Sequence, residues 1–104
     1  MIGIVTALRV EARCVTPLRL PFNQMIGLGE SAAIWLCGMG EEAARGAAEG
    51  LMAGGATSLM SLGLAGALDS RLRPGDLVLP ESIYAGRPLQ VDLGWRTRLR
   101  ALLP

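Results

Sequence analysis

The stretch that most constrains this chain is its first, IGIVTA at residues 2–7. It is short, apolar on both alternating faces and rich in β-branched residues. Such a run reads as a strand covered on both sides, as strands of parallel sheets are. The same signature returns in SAAIWLCG (31–38) and ATSLMSLGLA (56–65). Segments of helical character separate these runs. LRVEARCVTPLRL (8–20) puts Leu8, Ala12, Val15 and Leu18 on one face and Arg9 and Arg13 on another, until Pro17 distorts or ends it. GMGEEAARGAAEGLMAGG (38–55) reads as a helix with Glu41 and Glu42 in its first turn, stopped by Gly54-Gly55. QMIGLGE (24–30) is a weaker strand, with a hairpin turn expected at Gly29-Glu30.

Beyond residue 70, RLRPGD (71–76) is a loop with a Pro-Gly turn. LVLPESIYAGRPLQVDL (77–93) supplies one or two strands around Gly86. GWRTRLRALLP (94–104) is an amphipathic helix with Trp95, Leu99 and Leu102 on one side. The predicted order is β-α-β-β-α-β-β-β-α. Buried strands alternating with helices predict a three-layer α/β/α domain with a mixed, mainly parallel sheet, a single domain over residues 1–104.

Composition narrows the functions open to such a domain. Hydrophobic residues make up 51% of the 104 positions and aromatics only 4%, so the core is aliphatic and closely packed. A net charge of +1 leaves no basic stripe for nucleic acid. Histidine is absent, and with it the usual general base and zinc ligand. Cys14 and Cys37 match no metal spacing and read as two buried, reduced thiols. No metal and no cofactor are expected. The apolar N-terminus has no basic leader, which predicts a cytoplasmic protein. The uncharged stretch 50–68 is long enough to span a bilayer, but its five glycines read as helix end, turn and strand.

Three stretches carry chemistry. CGMGEEAA (37–44) is a strand, a G-x-G and a helix start, a partial dinucleotide fingerprint. It does not follow the first strand, and Ser58, Leu59 and Met60 stand where an acid belongs, which favours a plain strand-to-helix turn. Glu11 lies just past the carboxyl end of the first strand, where ligands of open α/β sheets bind. It reads either as a general base, its pKa raised by partial burial, or as a surface carboxylate paired with Arg9 or Arg13. GLAGA (63–67) presents backbone N–H groups with little side-chain bulk. That suits a flat ligand lying on the main chain, or close packing alone.

IGIVTALRVEA, CGMGEEAA and SLGLAGALDSRLRPGDLVL together resemble the nucleoside phosphorylase/nucleosidase family, in family order and spacing. Within it, GLAGALD, RLRPGDLVL and the Arg-rich tail are most similar to the hopanoid-associated branch, which removes adenine from adenosylhopane. The resemblance implies cleavage of a purine N-glycosidic bond in a small-molecule nucleoside. It implies that Glu11 activates the attacking water, that Ala7 lies beside the sugar, and that Gly63, Leu64, Ala65 and Gly66 form the floor of the nucleoside site. Gly38, Met39 and Gly40 fall on the loop leading into the helix behind it. Phosphorylases of the family hold phosphate with an arginine and a serine near this strand end. Ser61 and Leu64 stand there instead, and a leucine side chain donates no hydrogen bond, so water is the expected nucleophile. Family members are about twice this long, so the chain reads as an N-terminal half that is inactive alone and self-associates to cover its open sheet edge. The competing reading is a non-catalytic, dimerising interaction domain derived from the same fold.

Overall fold

A computed structural model describes residues 1–103. The elements follow the predicted order: β1 (Ile2–Thr6), α1 (Arg9–Ala12), β2 (Met25–Leu28), β3 (Ala32–Leu36), α2 (Glu41–Ala53), β4 (Ser58–Ser61), β5 (Ser82–Tyr84), β6 (Pro88–Gln90) and α3 (Leu93–Leu102). The chain divides into two compact units, Met1–Gly66 and Ala67–Pro104.

The first unit is built on a four-stranded sheet in the order β2-β3-β1-β4. Strand β1 runs parallel to both β3 and β4, and β2 pairs antiparallel with β3 through the hairpin at Gly29-Glu30. The sheet is therefore mixed and mainly parallel. Its strands alternate sides with period two. Ile4, Ile26, Leu28, Ile34 and Leu36 join Ala12, Val15 and Leu20 in one core. Val5, Ala33 and Trp35 join Leu51 and Ala56 in another, against α2. Gly3 sits where that contact is tightest. A Cβ there would lie 3.0 Å from Leu59 Cδ2 and 3.1 Å from both Ala56 Cβ and Leu51 Cβ. The absence of a side chain lets helix and strand approach.

Two expectations are corrected in this unit. The helix predicted over 8–20 is one turn long. Its hydrogen bonds continue to Thr16 only as irregular turns, with Cys14 and Val15 donating to Glu11 and Ala12. Pro17 disfavours helical geometry at residue 16, and the Leu18 N–H turns to the Thr16 hydroxyl at 3.2 Å. Leu18 is consequently exposed, and Leu20 enters the core in its place. Cys14, expected buried, is exposed on this broken segment, while Cys37 is buried as expected.

The second unit holds a β5–β6 hairpin around Gly86 and the helix α3. Asp92 caps α3 by accepting the Trp95 N–H at 2.9 Å. The Pro-Gly turn closes with Asp76 accepting the Arg73 N–H at 2.9 Å. Arg96 donates to the Leu79 carbonyl at 2.8 Å. Residues 77–79, expected in a strand, are irregular, and no residue of 67–103 is fully buried. Among the described residues no helix is long and apolar enough to cross a membrane. The uncharged stretch 50–68 is the end of α2, a turn, β4 and the irregular chain after it.

Candidate active site

The three parallel strands of the first unit end at the same place. β1 runs out into Ala7, β3 into Cys37 and Gly38, and β4 into Leu62, Gly63 and Leu64. The turns are tied together by the main chain. Cys37 N–H donates to the Thr6 carbonyl at 2.9 Å, Gly38 N–H to Ala7 at 3.1 Å and Leu62 N–H to Val5 at 3.0 Å. Gly38 and Gly40 have φ of 81° and 110°, a left-handed backbone that side chains resist. They turn the chain from β3 into α2. Between these turns lies a cleft of about 260 Å³, lined by Ala7, Glu11, Cys37, Gly38, Ser61, Gly63 and Leu64 with their neighbours. It is smaller than the ~300–1,000 Å³ of drug-sized sites.

Glu11 lines this cleft and is 5% exposed. Its Oε1 accepts from the Leu8 N–H at 2.9 Å, the Ala7 N–H at 3.2 Å and the Thr6 hydroxyl at 3.5 Å. Its Oε2 accepts from the Leu64 N–H at 2.7 Å, 53 positions away in sequence. The bond to Leu8 also satisfies the first free amide of α1, which begins at an N-cap with no side-chain acceptor of its own.

Two details of the sequence readings of Glu11 are thereby corrected, its pairing and the direction of its pKa shift. The carboxylate pairs with neither Arg9 nor Arg13. Arg9 instead donates to the Leu20 carbonyl at 2.8 Å and lies 4.7 Å over the Phe22 ring. Nor is the pKa raised. The Leu64 N–H holds it below the usual glutamate range; burial works against this, and the Leu8, Ala7 and Thr6 donors add to the lowering. A buried carboxylate here stays ionised because backbone dipoles replace the water it lost.

Cys37, which the sequence did not single out for the site, lines the cleft beside this charge. Burial pushes its thiol up, and the Glu11 charge pushes the same way. The thiol donates to the Gly38 carbonyl at 3.0 Å. Burial and the Glu11 charge both disfavour the thiolate, the nucleophilic form of the side chain.

Of the residues singled out, Ala7, Glu11, Gly63 and Leu64 come together at the cleft, whereas Ala65 and Gly66 are not among its lining. Thr6 and the Leu8 amide were missed. The signal for them was present: a glutamate three residues after the start of a helix reaches back to the N-cap amide. Leu8 hid it, because the pattern is usually sought with serine or threonine at that position.

A parallel sheet whose strand ends gather an ionised carboxylate and a small-residue turn around a cleft is the layout of an α/β domain that handles a small molecule. The family model described as the phosphorylase superfamily matches residues 10–97, and the chain belongs to that superfamily. No curated protein and no solved structure gives a significant match.

Proposed function

We propose that this chain carries the water-activating half of a purine nucleosidase site. The observation that carries the reading is the Glu11 carboxylate, buried in the cleft, ionised, and held by donors from both the β1–α1 turn and the turn after β4. Oε1 is occupied by three donors, whereas Oε2 accepts one from protein and keeps a lone pair for a water. Glu11 takes the proton as that water attacks the anomeric carbon and the glycosidic bond to the purine breaks. Ala7, Gly63 and Leu64, which line the cleft, are the substrate-binding surface, and Ala65 and Gly66 continue the same turn beyond it. Leu64 supports water over phosphate as nucleophile, since its side chain offers phosphate no donor. That side chain is 68% exposed, and it supports the narrower reading of adenine release from an adenosylhopane-like lipid.

Departure of the base needs a proton, and Glu11 is the one carboxyl group lining the cleft among the described residues. The chain by itself therefore binds nucleoside without appreciable turnover. In this reading residues 1–104 are a single domain of a three-layer, cytoplasmic enzyme. β2 and β4 are the terminal strands of the sheet, and terminal strands support self-association.

The test is a ¹⁵N-labelled chain titrated with adenosine to millimolar concentration. Shifts are expected at Leu8, Gly63 and Leu64, together with no release of adenine, with or without inorganic phosphate. Unmoved amides at these three positions would sink the nucleoside reading. Rapid adenine release would show instead that the chain supplies its own acid.

A further inference from the structure

The turn after β4 contains two glycines, Gly63 and Gly66, and they are not equivalent. Neither has the left-handed φ that would demand glycine for backbone reasons. A Cβ added to Gly66 meets nothing within 4 Å. A Cβ added to Gly63 would stand 2.6 Å from Glu11 Oε2 and 3.2 Å from its Cδ, with no atom of any other residue among its nearest contacts. That separation is inside any real non-bonded contact, so one of the two groups must move.

A glutamate on a surface would swing aside. This one cannot do so freely. Its Oε1 is fixed by Thr6, Ala7 and Leu8, and the atom in the way, Oε2, is the one bonded to the Leu64 N–H at 2.7 Å. Any displacement that relieves the contact lengthens that bond or carries the whole carboxylate off its three other donors. The neighbouring amide and the missing side chain thus act together. Leu64 supplies the donor, and Gly63 supplies the space the acceptor occupies.

We propose that Gly63 is a positioning residue for Glu11, its bare Cα forming the seat that lets the carboxylate dock on the Leu64 amide. The assignment rests on Glu11 being the working group of the cleft. It goes further than a turn whose backbone merely faces a ligand. It implies that the identity of residue 63 sets the pose and charge state of the base, whereas residue 66 is free to vary.

A double-mutant cycle tests it in the ligand-free chain, using Gly63→Ala, Glu11→Ala and the pair, with Gly66→Ala as the control on the same turn. Where Glu11 is present, Gly63→Ala is expected to lower the folding constant about tenfold or more, the scale of a lost charge-assisted hydrogen bond. In the Glu11→Ala background the same change is expected to cost less than about twofold, because the obstructing oxygen is gone. Gly66→Ala is expected to be neutral. A merely structural glycine would leave the Glu11 titration alone. Here ¹³C NMR of the Glu11 carboxyl should show its pKa moving up in Gly63→Ala and unmoved in Gly66→Ala.

Equal costs of Gly63→Ala in both backgrounds, or an unmoved titration, would overturn the proposal. If Gly63→Ala alone does not fold, the pair decides: a folded Glu11→Ala/Gly63→Ala chain supports the seat, and an unfolded one refutes it. These readouts involve no nucleoside. Adenosine that fails to bind therefore removes the nucleosidase reading and leaves the seat standing, and a flat cycle does the reverse.

Discussion

At the scale of single residues, the cleft is marked by one carboxylate whose charge is maintained by main-chain donors. A buried glutamate with no cation beside it should resist ionisation. Glu11 ionises because N–H groups from two segments converge on it, the Leu64 amide first among them. This has a consequence for stability against pH. The folded pKa lies below the ordinary value of 4.5, so folding favours the charged form. The stabilisation is complete above that ordinary value and is lost as pH falls toward and through the folded pKa. Urea unfolding between pH 7 and pH 3 should therefore show stability declining in acid. In Glu11→Gln part of the decline should vanish, since an amide does not titrate; both carboxylate oxygens accept from N–H groups, and the amide leaves one of them without an acceptor. At pH 7 that variant should lose about 1–3 kcal/mol. Parallel pH profiles for the two proteins would contradict this account. The position of Glu11 past the first strand was legible in the sequence, and so was its candidacy as a base. The direction of its pKa was not. Burial alone argues upward, and the decisive donor comes from a residue 53 places away.

At the scale of elements, the site depends on how closely α2 can lie on β1. Gly3 is the contact that allows it. Its neighbours Leu51 and Ala56 are buried, and the Leu51 and Ala56 Cβ atoms it would strike cannot rotate away. Gly3→Ala should destabilise the chain by about 1–3 kcal/mol through overpacking, measured by chemical denaturation. A neutral result would mean that the helix floats on the sheet. Trp35 packs across α2 in the same way, its ring against the bare Cα of Gly50. Strands were the most legible elements, because their apolar runs carry both the β-branched signal and the period of burial. The first helix was misread because Leu8, Ala12, Val15 and Leu18 keep helical spacing through a segment that Pro17 prevents from being helical. Periodicity measures which side chains share a face. It does not measure whether the backbone can close its hydrogen bonds.

At the scale of the whole molecule, every fully buried residue among those described lies between positions 3 and 56. The hydrophobic stabilisation of the chain is therefore concentrated in the unit Met1–Gly66. Amide hydrogen exchange should be slowest in β1, β3 and α2 and fast across the β5–β6 hairpin and α3. Protection in α3 matching that in β1 would refute this distribution. By itself the sequence determined the element order, the α/β class and the mainly parallel sheet, since each follows from local runs of buried, β-branched or helix-forming residues. It also pointed to Glu11 and the glycine-rich turn, which meet at the cleft. Only the tertiary structure decided that these two belong to one another. Strand pairing of β1 with β4 brings Leu64 to Glu11, and a hydrogen bond closed by the fold is invisible to any pattern read along the chain. The space that Gly63 leaves for the carboxylate was decided at the same step, because steric room is a property of neighbours in space.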